Sequence, residues 1–164
     1  AIESWVGPLD GVRDFEIGTG GLEVKATLSA ASFPAKIGSL EQLDDSARQP
    51  LFLAGARLRQ GEAGQSLPEL VAEMRDVAEG EAEAMRLLGE RLIAAGYFDA
   101  HAERYSRRFA LVDTRVVEVK GGFPRLTPGS VPLGVTKATY EIDLDKTAGP
   151  SIPVADALKS LGAI

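Results

Sequence analysis

Residues 12–28 read VRDFEIGTGGLEVKATL. Apolar and polar side chains alternate over residues 12–17 and again over residues 22–28, which is the period of a β-strand with one buried face. The residues between the two runs, 18–21, are Gly-Thr-Gly-Gly, and glycine supplies the positive φ that a tight turn needs. The stretch therefore predicts a β-hairpin.

This hairpin brings charged side chains together. Glu23 and Lys25 share one face of the second strand, because side chains alternate between faces. A turn centred on residues 18–21 brings Asp14 opposite Glu23 or Lys25, and opposed residues lie about 4.5–5.5 Å apart at Cβ. These side chains are close enough to share a bound ion, and the backbone carbonyl of Val24, between Glu23 and Lys25, could be a further oxygen ligand for it.

The chemistry of this cluster follows from the residue types available. The chain has 164 residues, no cysteine and one histidine, His101, so thiolate sites, multi-histidine zinc sites and disulfides are excluded. Any metal must be held by oxygens, which favours magnesium, calcium or manganese. Such a cation polarises a phosphate and lowers the pKa of a bound water, while a nearby amine stabilises developing charge. The cluster therefore predicts phosphodiester cleavage.

The remaining pattern predicts an α+β domain over residues 1–164 with a mixed sheet. Two capping boxes, Ser39 with Gln42 and Ser66 with Glu69, mark helix starts. The predicted elements are strands at 35–38, 50–58, 105–120 and 135–144, helices at 39–45, from Ser66 onward, at 79–95 ending at Gly96, and at 152–161, and loops at 61–65 and 123–134.

A family resemblance rests on the same residues. Asp14, the glycine-rich turn and Glu23-Val24-Lys25 resemble the Asp…Glu-x-Lys signature of the PD-(D/E)xK nucleases. More loosely, Asp14-Phe15, residues 22–27, Gln42-Leu43 and residues 123–126 are similar to a bacterial PD-(D/E)xK family found near restriction-type defence genes. The resemblance implies a restriction-endonuclease-like core, with helices flanking a mixed sheet and a C-terminal β-rich extension.

The resemblance also implies roles. Asp14 and Glu23 would bind Mg²⁺, with Mn²⁺ as a substitute, Lys25 would stabilise the transition state or position water, and Gln42 would face the site from the helix at 39–45. The implied substrate is double-stranded DNA, and the resemblance allows other defence-system subunits or a second copy of the chain as partners.

Two departures from the signature stand out. Arg13 occupies the position of its proline. The upstream helix that often supplies another glutamate is not found, although Glu3 is a candidate. Because the chain begins at Ala1 without methionine, we expect an upstream N-terminal segment beyond it.

The same residues have simpler interpretations. Asp14, Glu23 and Lys25 could form a cross-strand salt bridge on a solvated face, worth about 0.2–1 kcal/mol. A second Glu-x-Lys, Glu118-Val119-Lys120, provides a control: Asp113 lies an odd number of residues upstream of Glu118, hence on the opposite face, so this triplet predicts a solvated edge.

Alternative functions remain open at this point. One is a catalytically inactive scaffold or DNA-binding subunit, favoured by the net charge of −6 and the missing upstream acid. Another is a metal-dependent phosphoesterase acting on RNA or a small molecule.

The densest basic patch consists of Arg104, Arg107 and Arg108. It is either an exposed strand entry or a phosphate contact. We expect His101 to be a surface residue and Arg125 a loop residue.

The composition also bears on the compartment. No apolar run approaches the roughly 18 residues of a membrane span, and the absence of cysteine suits the cytoplasm.

The pI of about 4.9 argues against DNA binding driven by bulk charge, but not against a local basic groove.

Overall fold

The computed structural model describes residues 2–147 and 149–164 as an α+β arrangement. In chain order its strands and helices are β1 (Phe15–Ile17), β2 (Gly20–Thr27), β3 (Pro34–Ile37), β4 (Leu51–Ser66), α1 (Leu67–Val77), α2 (Ala82–Ala94), β5 (Arg108–Glu118), β6 (Tyr140–Asp143) and α3 (Val154–Ser160). Short 3-10 helices cover Ile2–Ser4, Gly7–Leu9, Asp99–Arg104 and Leu144–Lys146.

The predicted hairpin is confirmed, with a tighter turn and a shorter first strand. Phe15 pairs with Leu22 and Ile17 with Gly20, so only Gly18 and Thr19 form the turn. Gly18 has φ +55°, a left-handed conformation that glycine adopts without steric cost. The first strand begins at Phe15 rather than at residue 12, which leaves Asp14 immediately outside it.

The main sheet has the order β1-β2-β4-β5, in which β2 and β4 are parallel and the other pairs antiparallel. The polar loop predicted at 61–65 is wrong, because β4 continues to Ser66. Residues 61–64 instead form a wide bulge, since Gln60 and Gln65 both lie opposite Phe109. Arg108 anchors the bulge by donating from Nε to the Gly64 carbonyl at 2.9 Å.

One face of the sheet is covered by the two-stranded sheet β3-β6 and the crossover between β2 and β4. The fully buried side chains Phe33, Ile37 and Leu144 pack there against Leu53 and other residues of the same core cluster. The helix predicted at 39–45 is wrong: this segment contains bends and a turn at residues 42–43. Its backbone carbonyls bind a distant arginine instead of continuing a helical ladder.

The opposite face carries the helices. Ser66 caps α1 with the predicted capping box to Glu69, and α2 is followed by Gly96 at φ +86°, the predicted stop. Helix α2 begins at Ala82 rather than at residue 79, because a turn with Gly80 at φ +89° separates it from α1. Helix α3 packs on Phe52 and Val116 near the hairpin.

The expected β-rich C-terminal part contributes β5 to the main sheet and β6 to the smaller one, and the chain then ends in α3. Of the described residues, no helix combines the length and the apolar character needed to cross a membrane. The predicted α+β class with a mixed sheet flanked by helices is confirmed.

Candidate metal and catalytic site

Asp14 lies at the end of the sheet edge, where the chain enters β1. Its Oδ2 accepts a hydrogen bond of 2.8 Å from the Val24 backbone N–H. The Asp14 carbonyl accepts from the N–H groups of Val6 and Gly7 at 2.9 and 3.0 Å. The carboxylate therefore takes the place that a strand carbonyl would occupy opposite Val24, and the N-terminal segment holds it there.

Glu23 is the most deeply buried acidic residue of the site, with 1% of its surface exposed. In the sheet it lies beside Leu53, whose side chain belongs to the core. Its Oε2 is 3.3 Å from the Asp14 backbone nitrogen, which donates to it. Its other oxygen, Oε1, is 2.5 Å from Lys25 Nζ. The Glu23 carboxylate thus has one neutral donor and one cation as partners.

The electrostatics of Glu23 reflect this burial. Removal from water raises its pKa above the ordinary value, and the hydrogen bond from Lys25 opposes that rise. The nearby Asp14 carboxylate raises the pKa further. A buried acid next to a second acid favours a proton or a cation as its neighbour, and Lys25 supplies that cation here.

Lys25 lies at the boundary between core and solvent, with 21% of its side chain exposed. Its neighbour in β4 is Gly55, where an added Cβ would lie 2.5 Å from the Phe33 ring and 2.6 Å from Leu144. The Phe33 ring therefore occupies the space above Gly55, and the Lys25 amine projects beside it toward the outside.

The structure brings together the three residues that the sequence singled out. Glu23 and Lys25 share a face of β2, and Asp14 joins them from the strand edge. The Val24 carbonyl points to the same edge as its N–H group, because both groups of a strand residue project to one side. Within residues 2–147 and 149–164, no group of three or more acidic, histidine or cysteine residues could hold a metal ion. The oxygen atoms available at this edge of the hairpin are those of two carboxylates and one backbone carbonyl.

Gln42 lies in a turn rather than on a helix. Its side-chain Oε1 accepts from the Gly38 N–H at 2.7 Å, which closes the loop after β3. Its backbone carbonyl accepts from Arg13 Nε at 3.0 Å. The contacts of Gln42 hold the crossover together, and its direct role in catalysis stays a prediction.

Arg13 is a residue of this region that sequence reasoning missed. It is 6% exposed and donates to the carbonyls of Glu41 and Gln42, each at 3.0 Å, and to that of Asp44. Burial lowers its pKa, although nearby carboxylates oppose this. Strand alternation would place Arg13 beside Phe15, yet its side chain lies over Gly21 on the other face. The departure from the proline of the signature therefore has a structural role here.

The predicted control triplet is solvated. Glu118 and Lys120 pair with each other, with 39% and 70% of their side chains exposed. Asp113 is 56% exposed and lies 3.9 Å from Arg57 Nε. The second Glu-x-Lys therefore lacks the buried carboxylate that distinguishes the first.

Two other charged residues near the site or in the C-terminal loop have local partners. Glu16 pairs with Arg48 at 2.6 Å. Arg125 pairs with Asp45 at 2.8 Å and donates to the Leu43 carbonyl at 3.0 Å, so it holds a loop.

The basic patch is divided among different contacts. Arg108 is tied to Glu69 at 2.8 Å, and Arg107 lies over the Phe109 ring. His101 packs edge-on against Phe98.

Comparisons with known proteins give one family. The model of DUF4420, described as "Putative PD-(D/E)XK family member", matches residues 1–145 of the 164. No curated protein and no solved structure matches the chain. The matched region contains the hairpin with Asp14, Glu23 and Lys25 and all four strands of the mixed sheet. The chain therefore belongs to DUF4420, within the PD-(D/E)xK superfamily, and its α+β core is consistent with a restriction-endonuclease-like fold.

Proposed function

We propose that the chain is a magnesium-dependent DNA endonuclease that acts in bacterial restriction or phage defence. The observation that carries the proposal is the convergence of Asp14, Glu23 and Lys25 at one end of the hairpin. The restriction or defence role rests on the resemblance of the sequence to a family found near such genes.

The residues present fit a magnesium ion. Magnesium is commonly held by one or two carboxylates, with water and substrate phosphates completing its octahedron. Asp14 and Glu23 would supply the carboxylates, and the Val24 carbonyl a third oxygen. The raised pKa of Glu23, due to burial and to the neighbouring Asp14, also favours a cation at this position. When bound, the ion would polarise the scissile phosphate and lower the pKa of a water molecule.

The chain's own residues would position the two carboxylates and neutralise the charge that develops on the phosphate. Backbone N–H groups of Asp14 and Val24 hold the two carboxylates in place, so that little reorganisation is needed when the substrate arrives. Lys25, partly exposed, would exchange its contact with Glu23 for a phosphate oxygen and neutralise the charge that develops there. The role of Lys25 depends on its position at the rim rather than in the core.

DNA must reach this site against an unfavourable net charge of −6. Lys25 and Arg115 flank Gly55 on neighbouring strands, and Arg57 on the same sheet face stacks over the Phe33 ring at 4.6 Å. Arg57 and Arg115 also lie 3.4 and 4.0 Å from the carboxylate of Asp145, so a DNA phosphate would have to replace that carboxylate to contact these cations.

A plasmid-nicking assay with magnesium tests the proposal. The wild-type chain should cut, and Glu23→Gln, Lys25→Met and Asp14→Asn should each lose at least a hundredfold in rate. The control is Glu118→Gln with Lys120→Met, which alters the solvated Glu-x-Lys and should keep the wild-type rate. Circular dichroism must show that each variant is folded. Cutting by folded Glu23→Gln at the wild-type rate would overturn the assignment.

The second candidate is a catalytically silent scaffold or DNA-binding subunit. It is favoured by the 1% exposure of Glu23 and by Lys25, which already neutralises it. Manganese binding followed by electron paramagnetic resonance separates the two proposals. Binding that is lost in Glu23→Gln supports the enzyme, whereas no binding to the wild type, combined with DNA binding in a gel-shift assay, supports the scaffold.

A further inference from the structure

A groove lies between α1 and α2, on a part of the surface that does not include Asp14, Glu23 or Lys25. Its cavity has a volume of about 670 Å³, and it is closed at one side by Ile2 and Glu3 of the first 3-10 helix. Met74 of α1, Ala78 at the C-cap of α1, and Leu87 of α2 form its apolar walls.

The α1 side of the groove carries an apolar stripe that the described part of the chain leaves open. Leu70, Met74 and Val77 follow the i, i+4, i+7 spacing of one helix face. Leu70 is 45% exposed and Val77 is 88% exposed. A second cavity of about 690 Å³ continues from the same Leu70 and Met74 toward Trp5. This length of exposed apolar surface is typical of a helix-in-groove interface.

The polar residues of the groove are all acidic. Glu3, Glu73, Glu81 and Glu83 line it and are exposed, and no lysine or arginine does so among the described residues. One of them, Glu83, pairs with Arg86 on the outer side of α2. Carboxylates around an apolar floor repel phosphates, and two copies of this groove placed face to face would repel each other. The charge instead complements lysine or arginine side chains.

We propose that this groove binds a cationic amphipathic helix of a partner protein. Its apolar side chains would enter between Leu70, Met74 and Leu87, and its lysine or arginine side chains would reach Glu73 and Glu81 at the rim. The groove between α1 and α2 does not itself include Asp14, Glu23 or Lys25, whereas the adjoining cavity reaches Asp14 and Val24. A helix confined to the groove would therefore leave the candidate cleavage site free. It would recruit the chain to a larger assembly.

The test uses two synthetic helical peptides of about 18 residues, roughly five turns. Both have leucine on one face; the first has lysine and the second glutamate on the other. Fluorescence anisotropy with the whole chain should show at least tenfold tighter binding of the lysine peptide. Val77→Gln, which removes an exposed apolar contact, and Glu81→Lys should each weaken that binding at least tenfold.

Matched controls separate the groove from bulk effects. Glu62→Lys changes the net charge as Glu81→Lys does, but lies on the exposed bulge of β4, and Ile93→Gln alters an apolar residue of α2 that is 60% exposed outside the groove. Both should bind within twofold of the wild type. Equal loss in Glu62→Lys and Glu81→Lys, or no loss in Val77→Gln, would overturn the proposal. So would a dimer of the chain that Val77→Gln dissociates, since the occupant would then be a second copy.

Discussion

Replacing Lys25 with methionine should destabilise the chain in a pH-dependent manner. Methionine keeps most of the apolar stem but removes the ammonium that lies 2.5 Å from the Glu23 carboxylate. Glu23 would then be a buried acid, 1% exposed, with the Asp14 N–H as its remaining partner in the described structure. The variant therefore isolates the electrostatic contribution of the pair.

The loss of stability depends on whether Glu23 stays ionised without Lys25 or takes up a proton, whichever requires less free energy. Coulomb's law at an effective dielectric constant of about 20 gives roughly 6–7 kcal/mol for unit charges at this separation. Protonation of Glu23 is the alternative, and from pH 7 it costs about 3.4 kcal/mol for a carboxyl with an ordinary pKa of 4.5. Because protonation is cheaper, it limits the loss. We expect a decrease of about 2–3 kcal/mol in the free energy of unfolding at pH 7.

The sign of the pH dependence follows from the direction of the Glu23 pKa. Burial already raises this pKa in the folded state, so the contribution of Glu23 to stability is full below pH 4.5 and is lost as pH rises through the raised value. Loss of Lys25 raises the pKa of Glu23 further, so it widens the pH range over which the folded state holds a proton that the unfolded state has lost. The difference between the variant and the wild type should therefore shrink by about 1.4 kcal/mol per pH unit as the pH falls from 7 toward the raised pKa of Glu23 in the wild type, and should stay constant below it.

Urea unfolding at several pH values between 5 and about 8 measures this difference. Lys120→Met, in the exposed Glu118 pair, is the matched control and should change stability by less than about 0.5 kcal/mol at every pH. A Lys25→Met loss that does not vary with pH would refute the reasoning, because it would show that packing rather than the buried charge sets the cost.

Three further predictions concern other parts of the chain. Manganese at about a hundred times its dissociation constant should stabilise the wild type by about 2.7 kcal/mol in a thermal-shift assay and leave Glu23→Gln unchanged; an equal shift in both would place the ion elsewhere. Ser66→Ala removes the cap of α1, whose hydroxyl accepts from the Glu69 N–H, and should cost about 1 kcal/mol in urea unfolding; no loss would contradict the cap. Gly55→Ala places a Cβ 2.5 Å from the Phe33 ring and should cost about 1–3 kcal/mol by calorimetry, whereas wild-type stability would mean that Phe33 moves freely.

The hairpin and the helix ends could be predicted because their signals are local. The alternation around Gly18 specifies two strands and a turn, and the Ser66 capping box and Gly96 mark helix ends within a few residues. The convergence of Asp14 with Glu23 and Lys25 follows from the same alternation once the turn is placed. The deep burial of Glu23 could not be predicted from the sequence, because it depends on Leu53 in another strand and on the layer of side chains above it.

The errors lie where distant residues decide the local structure. The segment at 39–45 contains a capping-box pattern, Ser39 with Gln42, yet the distant Arg13 donates to the carbonyls of Glu41 and Gln42 and the segment does not become a helix. Similarly, the glycines and polar residues at 61–65 predict a loop, but the backbone of β5 near Phe109 keeps the segment in an extended bulge. In both cases a long-range partner takes the hydrogen bonds that local propensity would have directed elsewhere.

Arg13 lies next to a locally predicted residue, Asp14, but its own contacts are long-range. Its side chain reaches residues 28 to 31 positions away, so no local pattern could assign its partners. Arg13 also directly precedes Asp14 in the chain. Its hydrogen bonds to the segment between β3 and β4 therefore connect that segment to the candidate metal site. Because Arg13 fixes the chain where it enters β1, it holds the backbone of Asp14 within reach of Glu23 and Val24. A proline at position 13 would restrict the same backbone by its ring, whereas here a buried guanidinium achieves the restriction through three carbonyls of another segment.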